Sequence, residues 1–116
     1  MKRALADNLV EFLSISEPGA SIPALERVSH RDWERCLLWL DDTGLAFYFL
    51  QKLENTNSAG VIPTSILSRL EANFAANQSR VEDMSQRFDT LNRRFNEAGI
   101  GYVALKGLSL VPQFCP

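Results

Sequence analysis

The feature that most constrains this chain is a stretch of about 35 residues, positions 64–98, that contains neither glycine nor proline. Pro63 precedes this stretch, and proline is favoured at the first position of a helix. Gly99 follows it, where a helix C-cap glycine belongs. The sequence therefore predicts one long helix from Pro63 to Ala98, roughly 50 Å in length at 1.5 Å per residue.

Apolar residues recur along this helix at alternating spacings of three and four, which is the pattern of a heptad seam. Two interpretations remain open: the seam packs on the preceding helices in a bundle, or it pairs with a second copy, with the polar Asn77 fixing the register. We favour the bundle, with the seam against residues 33–53, because those helices also need a partner and the heptads are not all clean. The seam consists of Leu67, Leu70, Phe74, Asn77, Val81, Met84, Phe88, Leu91 and Phe95.

The residues before this helix predict further helices. Residues 3–14 have apolar residues at helical spacing and end at the Glu17–Gly19 turn. We expect an irregular connection over residues 20–31, leading to an N-cap near Ser29 or Asp32. The following helices carry the stripe Trp33, Cys36, Leu37 and Leu40, and then, past Gly44, the strongly apolar run 45–53, which closes in a polar loop at residues 54–60.

Composition limits the class of protein. The chain has 46% hydrophobic residues and a net charge of −2, typical of one soluble globular domain without a basic field for nucleic acid. The longest apolar run, Leu45–Leu50, is far shorter than the ~20 residues of a membrane span. Cys36 and Cys115 have no neighbouring metal ligands, so we read them as reduced thiols. We expect a cytoplasmic protein without membrane or nucleic-acid partners.

The chain changes character after Gly99. Residues 100–105 form a short β-prone run, Lys106-Gly107 a turn, and residues 108–111 the start of another helix. A single strand has no neighbour for its backbone donors and acceptors. We therefore expect a mainly α chain, a helical bundle with one long helix, followed by the first strand of an incomplete α/β domain.

The end of the long helix and the segment after it read Phe95-Asn96-Glu97-Ala98-Gly99-Ile100-Gly101-Tyr102-Val103-Ala104-Leu105-Lys106-Gly107. This stretch resembles an uncharacterised nucleotidyltransferase family with a polymerase-β-like catalytic fold. The upstream segments Asp32-Trp33-Glu34, Thr43-Gly44-Leu45 and Tyr48–Leu53 agree with the helical N-terminal region of that family. The resemblance implies two parts, a helical region at 1–98 and the incomplete start of a nucleotidyltransferase domain at 99–116.

The resemblance also implies a function: transfer of a nucleotidyl group from an NTP to an unknown acceptor, with Mg²⁺ held by an Asp-x-Asp pair on a later strand. This chain contains no Asp-x-Asp, and Asp41-Asp42 are adjacent at a helix end. Because nucleotidyl transfer needs carboxylates to hold the metal, we expect this fragment to be inactive. The alternative is a non-enzymatic interaction module that uses the Leu67–Phe95 seam, for which a homodimer would be one form.

Lys106, Gly107 and Ser109 are the candidate nucleotide-binding residues. At a strand-to-helix turn, the glycine lets the backbone approach a phosphate, the lysine adds a positive charge, and the serine hydroxyl can donate. A solvated turn is the plain alternative for all three. No catalytic or metal-binding residue is assigned.

Other polar and aromatic residues have ordinary explanations. His30 has no sequence neighbour that suggests catalysis and is expected on the surface, and the aromatic cluster around Trp33 is expected in the core. Arg87, Arg93 and Arg94 lie among acidic residues at the spacing of surface ion pairs. A phosphate-binding role for Arg93 or Arg94 is the minority interpretation.

Overall fold

The computed structural model describes residues 2–14, 19 and 21–103, and the elements in this part of the chain are all helical. Helix α5 is the long helix that the sequence predicts, and it ends within one residue of the expected position. The elements are α1 (Arg3–Leu13), α2 (Ile22–Glu26), α3 (His30–Thr43), α4 (Ala46–Asn55), a 3₁₀ turn (Ala59–Val61) and α5 (Thr64–Glu97).

Two compact units divide the chain, residues 1–72 and 73–116, and the division falls within α5. The first unit holds a core around the Phe49 ring, which lies 5.5 Å from the ring of Phe12 and 6.0 Å from that of Trp33. Because aromatic rings bury large apolar areas, this cluster is the centre of the unit's packing. Its other buried apolar residues include Leu9, Leu25, Cys36, Leu37, Leu40, Leu50, Leu53, Ile62, Ile66 and Leu70.

Both ends of α3 are closed by their local sequence. The Ser29 hydroxyl accepts a hydrogen bond from the Asp32 amide at 3.2 Å, which confirms the predicted N-cap of α3. At the other end, Gly44 has φ +71°, and the Leu45 amide donates to the Leu40 carbonyl at 2.9 Å. This left-handed residue ends α3 in a Schellman motif.

The connection between α1 and α3 differs from the sequence prediction. We expected an irregular segment over residues 20–31, but it contains α2, with Pro23 in its first turn. Leu25 in this short helix is completely buried. Five residues are too few to show helical periodicity in the sequence, and burial of Leu25 stabilises a helix that would not form alone.

The second unit contains α5 from Asn73 onward. Gly99, with φ +69°, ends the helix, and the Ile100 amide donates to the Phe95 carbonyl at 2.9 Å, which confirms the predicted C-cap. The bundle interpretation of the seam is wrong in this unit, because Met84 is 49% exposed and Leu91 46% exposed. Periodicity shows which residues share a helix face, but not what covers that face.

The predicted strand is not seen in the described residues, and this corrects the expectation of a first strand from an α/β domain. Residues 100–103 have no strand structure. The amide of Ile100 belongs to the helix cap, and the Tyr102 ring lies 5.3 Å from the Phe95 ring, so this segment folds back on the helix end. Without a neighbouring strand, β-prone residues gain no ladder hydrogen bonds. The rest of the predicted strand, and the helix start at 108–111, lie outside the described residues.

Candidate functional site

The turn predicted to bind a nucleotide begins shortly after the end of α5. Lys106, Gly107 and Ser109 all lie outside the described residues, so their role remains a prediction. The structure describes the chain up to Val103. The Gly99 cap and the Phe95–Tyr102 ring contact fix where the chain leaves the helix, four to seven residues before the lysine.

A long, exposed face of α5 in the second unit carries apolar and cationic residues side by side. We call Val81, Met84, Phe88 and Leu91 the apolar stripe; Met84 and Leu91 are exposed, and Val81 and Phe88 are half-buried. Their alternating spacing of three and four residues keeps them on one side of the helix.

Three arginines flank this stripe at a spacing of seven residues. We call Arg80, Arg87 and Arg94 the arginine row; all three are exposed, and successive members are about 10.5 Å apart along the helix axis. Arg80 donates to the Oδ1 atom of Asn77, a seam residue, at 2.6 Å.

The groove beside the arginine row is shallow and open. Asp83, Gln86, Arg87, Thr90 and Arg94 line it. Arg87 is paired with Asp83 at 2.9 Å, with the two side chains 79% and 57% exposed, as the sequence interpretation of surface i,i+4 pairs predicts. Such pairs contribute only about 0.3–0.5 kcal/mol, so Arg87 can exchange this partner at little cost.

The sequence interpretation grouped Arg87 and Arg94 with Arg93 as residues of surface ion pairs and did not single out Arg80. The signal that could have found the row is the seven-residue repeat, which places all three arginines at the g position when the apolar residues occupy a and d. The opposite flank, position e, carries Gln78, Ser85 and Asn92, which have no charge. The two flanks of the stripe therefore differ in charge.

No group of three or more potential metal ligands from His, Cys, Asp and Glu occurs within the part of the chain that the structure describes. Asp41 and Asp42 are exposed at the last turn of α3, as expected for a solvated pair. These residues therefore do not fit a metal ion.

Within the described residues, Cys36 and His30 are isolated candidates for nucleophilic or base chemistry. Cys36 is fully buried, and desolvation, with a smaller effect of the Asp32 charge, raises the pKa of its thiol to about 11. A thiol with a raised pKa is a poor nucleophile at neutral pH. His30 is exposed on the first turn of α3, and its Nε2 lies 3.4 Å from the Ser65 hydroxyl, at the long limit of a hydrogen bond.

The prediction that the aromatic residues of α3 and α4 lie in the core is confirmed for two of the five: Trp33 and Phe49 are buried, Trp39 and Phe47 are half-buried, and Tyr48 is exposed. Trp33 is 1% exposed and Phe49 is not exposed, so neither ring is available for stacking on a base. Tyr48 is 39% exposed. None of the helices in the described ranges combines the length and the apolar character needed to cross a membrane.

The profile of a family described as "uncharacterised nucleotidyltransferase" matches residues 29–116. This range begins at the N-cap of α3 and includes α3, α4, α5 and the segment after Gly99. No curated protein and no solved structure matches the chain.

Proposed function

Because the chain belongs to the uncharacterised nucleotidyltransferase family, we propose that it forms the N-terminal part of an enzyme that transfers a nucleotidyl group from an NTP to an acceptor. The family match over residues 29–116 carries this proposal. It covers helices α3, α4 and α5 and the segment that contains the candidate nucleotide-binding turn.

In this proposal the turn after α5 binds the triphosphate. Lys106 contributes a positive charge close to a phosphate oxygen, and the Gly107 backbone approaches the phosphates where a side chain would obstruct it. The Ser109 hydroxyl donates to the same group. These residues bind and orient the nucleotide.

Family resemblance implies Mg²⁺, which would activate the attacking oxygen and neutralise the triphosphate. The residues at hand do not fit this ion: the sequence has no Asp-x-Asp, and the described part of the chain has no cluster of three ligands. We therefore assign no step of the reaction to a metal held by these residues. The 116-residue chain by itself should not catalyse transfer.

The test uses two polypeptides. One is the 116-residue chain, and the other is the product obtained when the gene is expressed through any codons after Pro116 up to its stop codon. Each is incubated with Mg²⁺ and each labelled NTP, and binding is measured by isothermal titration. For the longer product, Lys106→Ala should weaken NTP binding about 10- to 150-fold, the range of a charge-assisted hydrogen bond.

Lys2→Ala is the matched control, because Lys2 is an exposed lysine whose partner is Asp32 at 3.5 Å, within the first unit. It should leave NTP binding unchanged. Equal affinities of the Lys106→Ala variant and the wild type would remove Lys106 from the site. If neither polypeptide bound any NTP, that result would contradict the proposed function.

A further inference from the structure

The apolar stripe and the arginine row form a surface with the layout of one half of a coiled coil. The stripe occupies the a and d positions, and its exposed members Met84 and Leu91 leave apolar area in water. The row occupies the neighbouring g position over two full heptads. We propose that this surface binds an amphipathic helix of a partner protein whose apolar seam is flanked by acidic residues.

Charge distribution selects this partner over a second copy of the chain. In a parallel pair, a g residue faces the e residue of the following heptad on the partner. In a pair of identical helices, Arg80 would face Ser85 and Arg87 would face Asn92, so neither arginine would gain an opposite charge.

An antiparallel pair of identical helices is less favourable still. There the g rows face each other, and the arginines of one row would lie opposite the arginines of the other. A helix with Glu or Asp at the facing positions instead gives each arginine an opposite charge. Electrostatic complementarity of this kind selects partners more than it strengthens binding.

The existing contacts of the arginine row do not prevent its arginines from pairing with acidic residues of a partner helix. Asp83 is the partner of Arg87 in an exposed i,i+4 pair, and an incoming carboxylate can replace it. Arg80 bonds a neutral amide oxygen of Asn77. At the end of the seam, Tyr102 lies against Phe95, so the open surface extends from Val81 to Leu91.

The apolar stripe distinguishes this surface from a nucleic-acid or phosphate site. An anionic polymer would need only the arginines, whereas a helix also covers the apolar stripe. The proposal therefore requires that both features of the partner, acidic flanks and an apolar seam, contribute to binding.

The experiment uses the full 116-residue chain and three fluorescent helical peptides of four heptads each. The first has Ile at a, Leu at d and Glu at e and g; the second has Lys in place of every Glu; the third keeps Glu but has Ser at a and d. Glu at both flanks prevents the first peptide from pairing with itself. Binding is followed by fluorescence anisotropy at low ionic strength.

We expect the Glu peptide to bind at least about tenfold more tightly than the Lys peptide, and the Ser peptide not to bind. The double variant Arg80→Glu/Arg87→Glu should reverse the order of the first two. Arg93→Glu is the matched control: Arg93 is exposed on the same helix but lies at position f, away from the stripe, and should preserve the order. Circular dichroism checks that each variant keeps its helix content.

Three results would overturn the proposal. Equal binding of the Glu and Lys peptides would show that the row does not select the partner. Binding of the Ser peptide as tightly as the Glu peptide would show a site for negative charge alone. A stable dimer in sedimentation that Met84→Asp dissociates, and that the Glu peptide does not displace, would identify a second copy as the occupant.

Discussion

The two ends of α5 follow one sequence pattern and have opposite surroundings. Near its start, the seam residue Leu70 is not exposed at all and Leu67 is half-buried, while Ile66, next to the seam, is 2% exposed. Further along the same helix, Met84 is 49% exposed and Leu91 46% exposed. The same seam is thus part of the core in the first unit and an open surface in the second.

This difference separates two sources of helix stability. In the first unit, burial of the apolar face holds each helix in place, and even the five-residue α2 persists through Leu25. In the second unit, α5 depends more on intrinsic propensity, its end cap and surface pairs, each of which contributes little. Substitutions should therefore have large effects in the first unit and small ones in the second.

The largest expected effect is at the centre of the core. Phe49→Ala removes a ring that contacts Phe12 and Trp33, and it should lower the free energy of unfolding by about 3–5 kcal/mol. Phe88→Ala, at a half-buried position of the second unit, should cost well under half as much. Urea denaturation followed by tryptophan fluorescence and circular dichroism measures both. Equal losses would mean that the second unit has a core of its own.

The helix-capping glycines give the next largest effect. Gly44 and Gly99 have φ values of +71° and +69°, and a Cβ added at either would meet no atom within 4 Å. Only the backbone strain of a positive φ therefore opposes alanine at these two positions. Gly44→Ala should lower the free energy of unfolding by about 1–2 kcal/mol.

Gly99→Ala should fray the end of α5 and leave the unfolding of the core unchanged, because Gly99 lies in the second unit. Gly60→Ala is the control, since Gly60 also has open space but no positive φ. Thermal denaturation and amide hydrogen exchange separate these effects. A loss of core stability in Gly99→Ala would show that the two units unfold together.

A smaller effect is expected at the N-cap of α3. Ser29→Ala should cost about 1 kcal/mol at neutral pH, because the Asp32 amide loses its acceptor. The Ser29 hydroxyl also donates to the Asp32 carboxylate at 3.0 Å, and this bond is the main reason that the pKa of Asp32 lies below its ordinary value of 3.8.

That lowered pKa gives the capping effect a pH dependence. A carboxyl group with a lowered native pKa stabilises the fold above its unfolded pKa, and this contribution is lost as the pH falls through the native value. The difference in stability between wild type and Ser29→Ala should therefore be largest above pH ~4 and shrink in more acidic solution. Urea titrations between pH 2 and 7 measure it, and a constant difference would contradict the role of Asp32.

The smallest effect is expected at the Asp83–Arg87 pair. Asp83→Asn should change the helix content and unfolding free energy by no more than about 0.5 kcal/mol, because both side chains are exposed. Circular dichroism at low and high salt should show that even this difference disappears at high ionic strength. A salt-independent loss would indicate that Asp83 has a role beyond the pair.

Much of the fold could be predicted because its signals are local. Ser29, Gly44 and Gly99 mark helix ends through the conformations and hydrogen bonds of single residues, and the structure places a cap at each. The long helix follows from a stretch without glycine or proline. The α2 helix was missed because its stability comes from burial of Leu25, a long-range contact.

The candidate site was predictable only in part. The arginine row is visible as a seven-residue repeat once the seam is drawn, but the repeat does not say whether the seam is covered. The nucleotide-binding turn at Lys106, Gly107 and Ser109 rests on the family relationship, and those residues lie outside the described part of the chain. The strand expected just before it is not seen over residues 100–103.

The sequence by itself determined both caps of α3, the end of α5 and which side chains share the face of α5, because these depend on neighbours within a few positions along the chain. Only the tertiary structure decided that Leu70 is enclosed while Leu91 stays exposed. Burial depends on residues far apart in sequence that meet in space, and a periodic pattern has the same form whether or not a partner covers it.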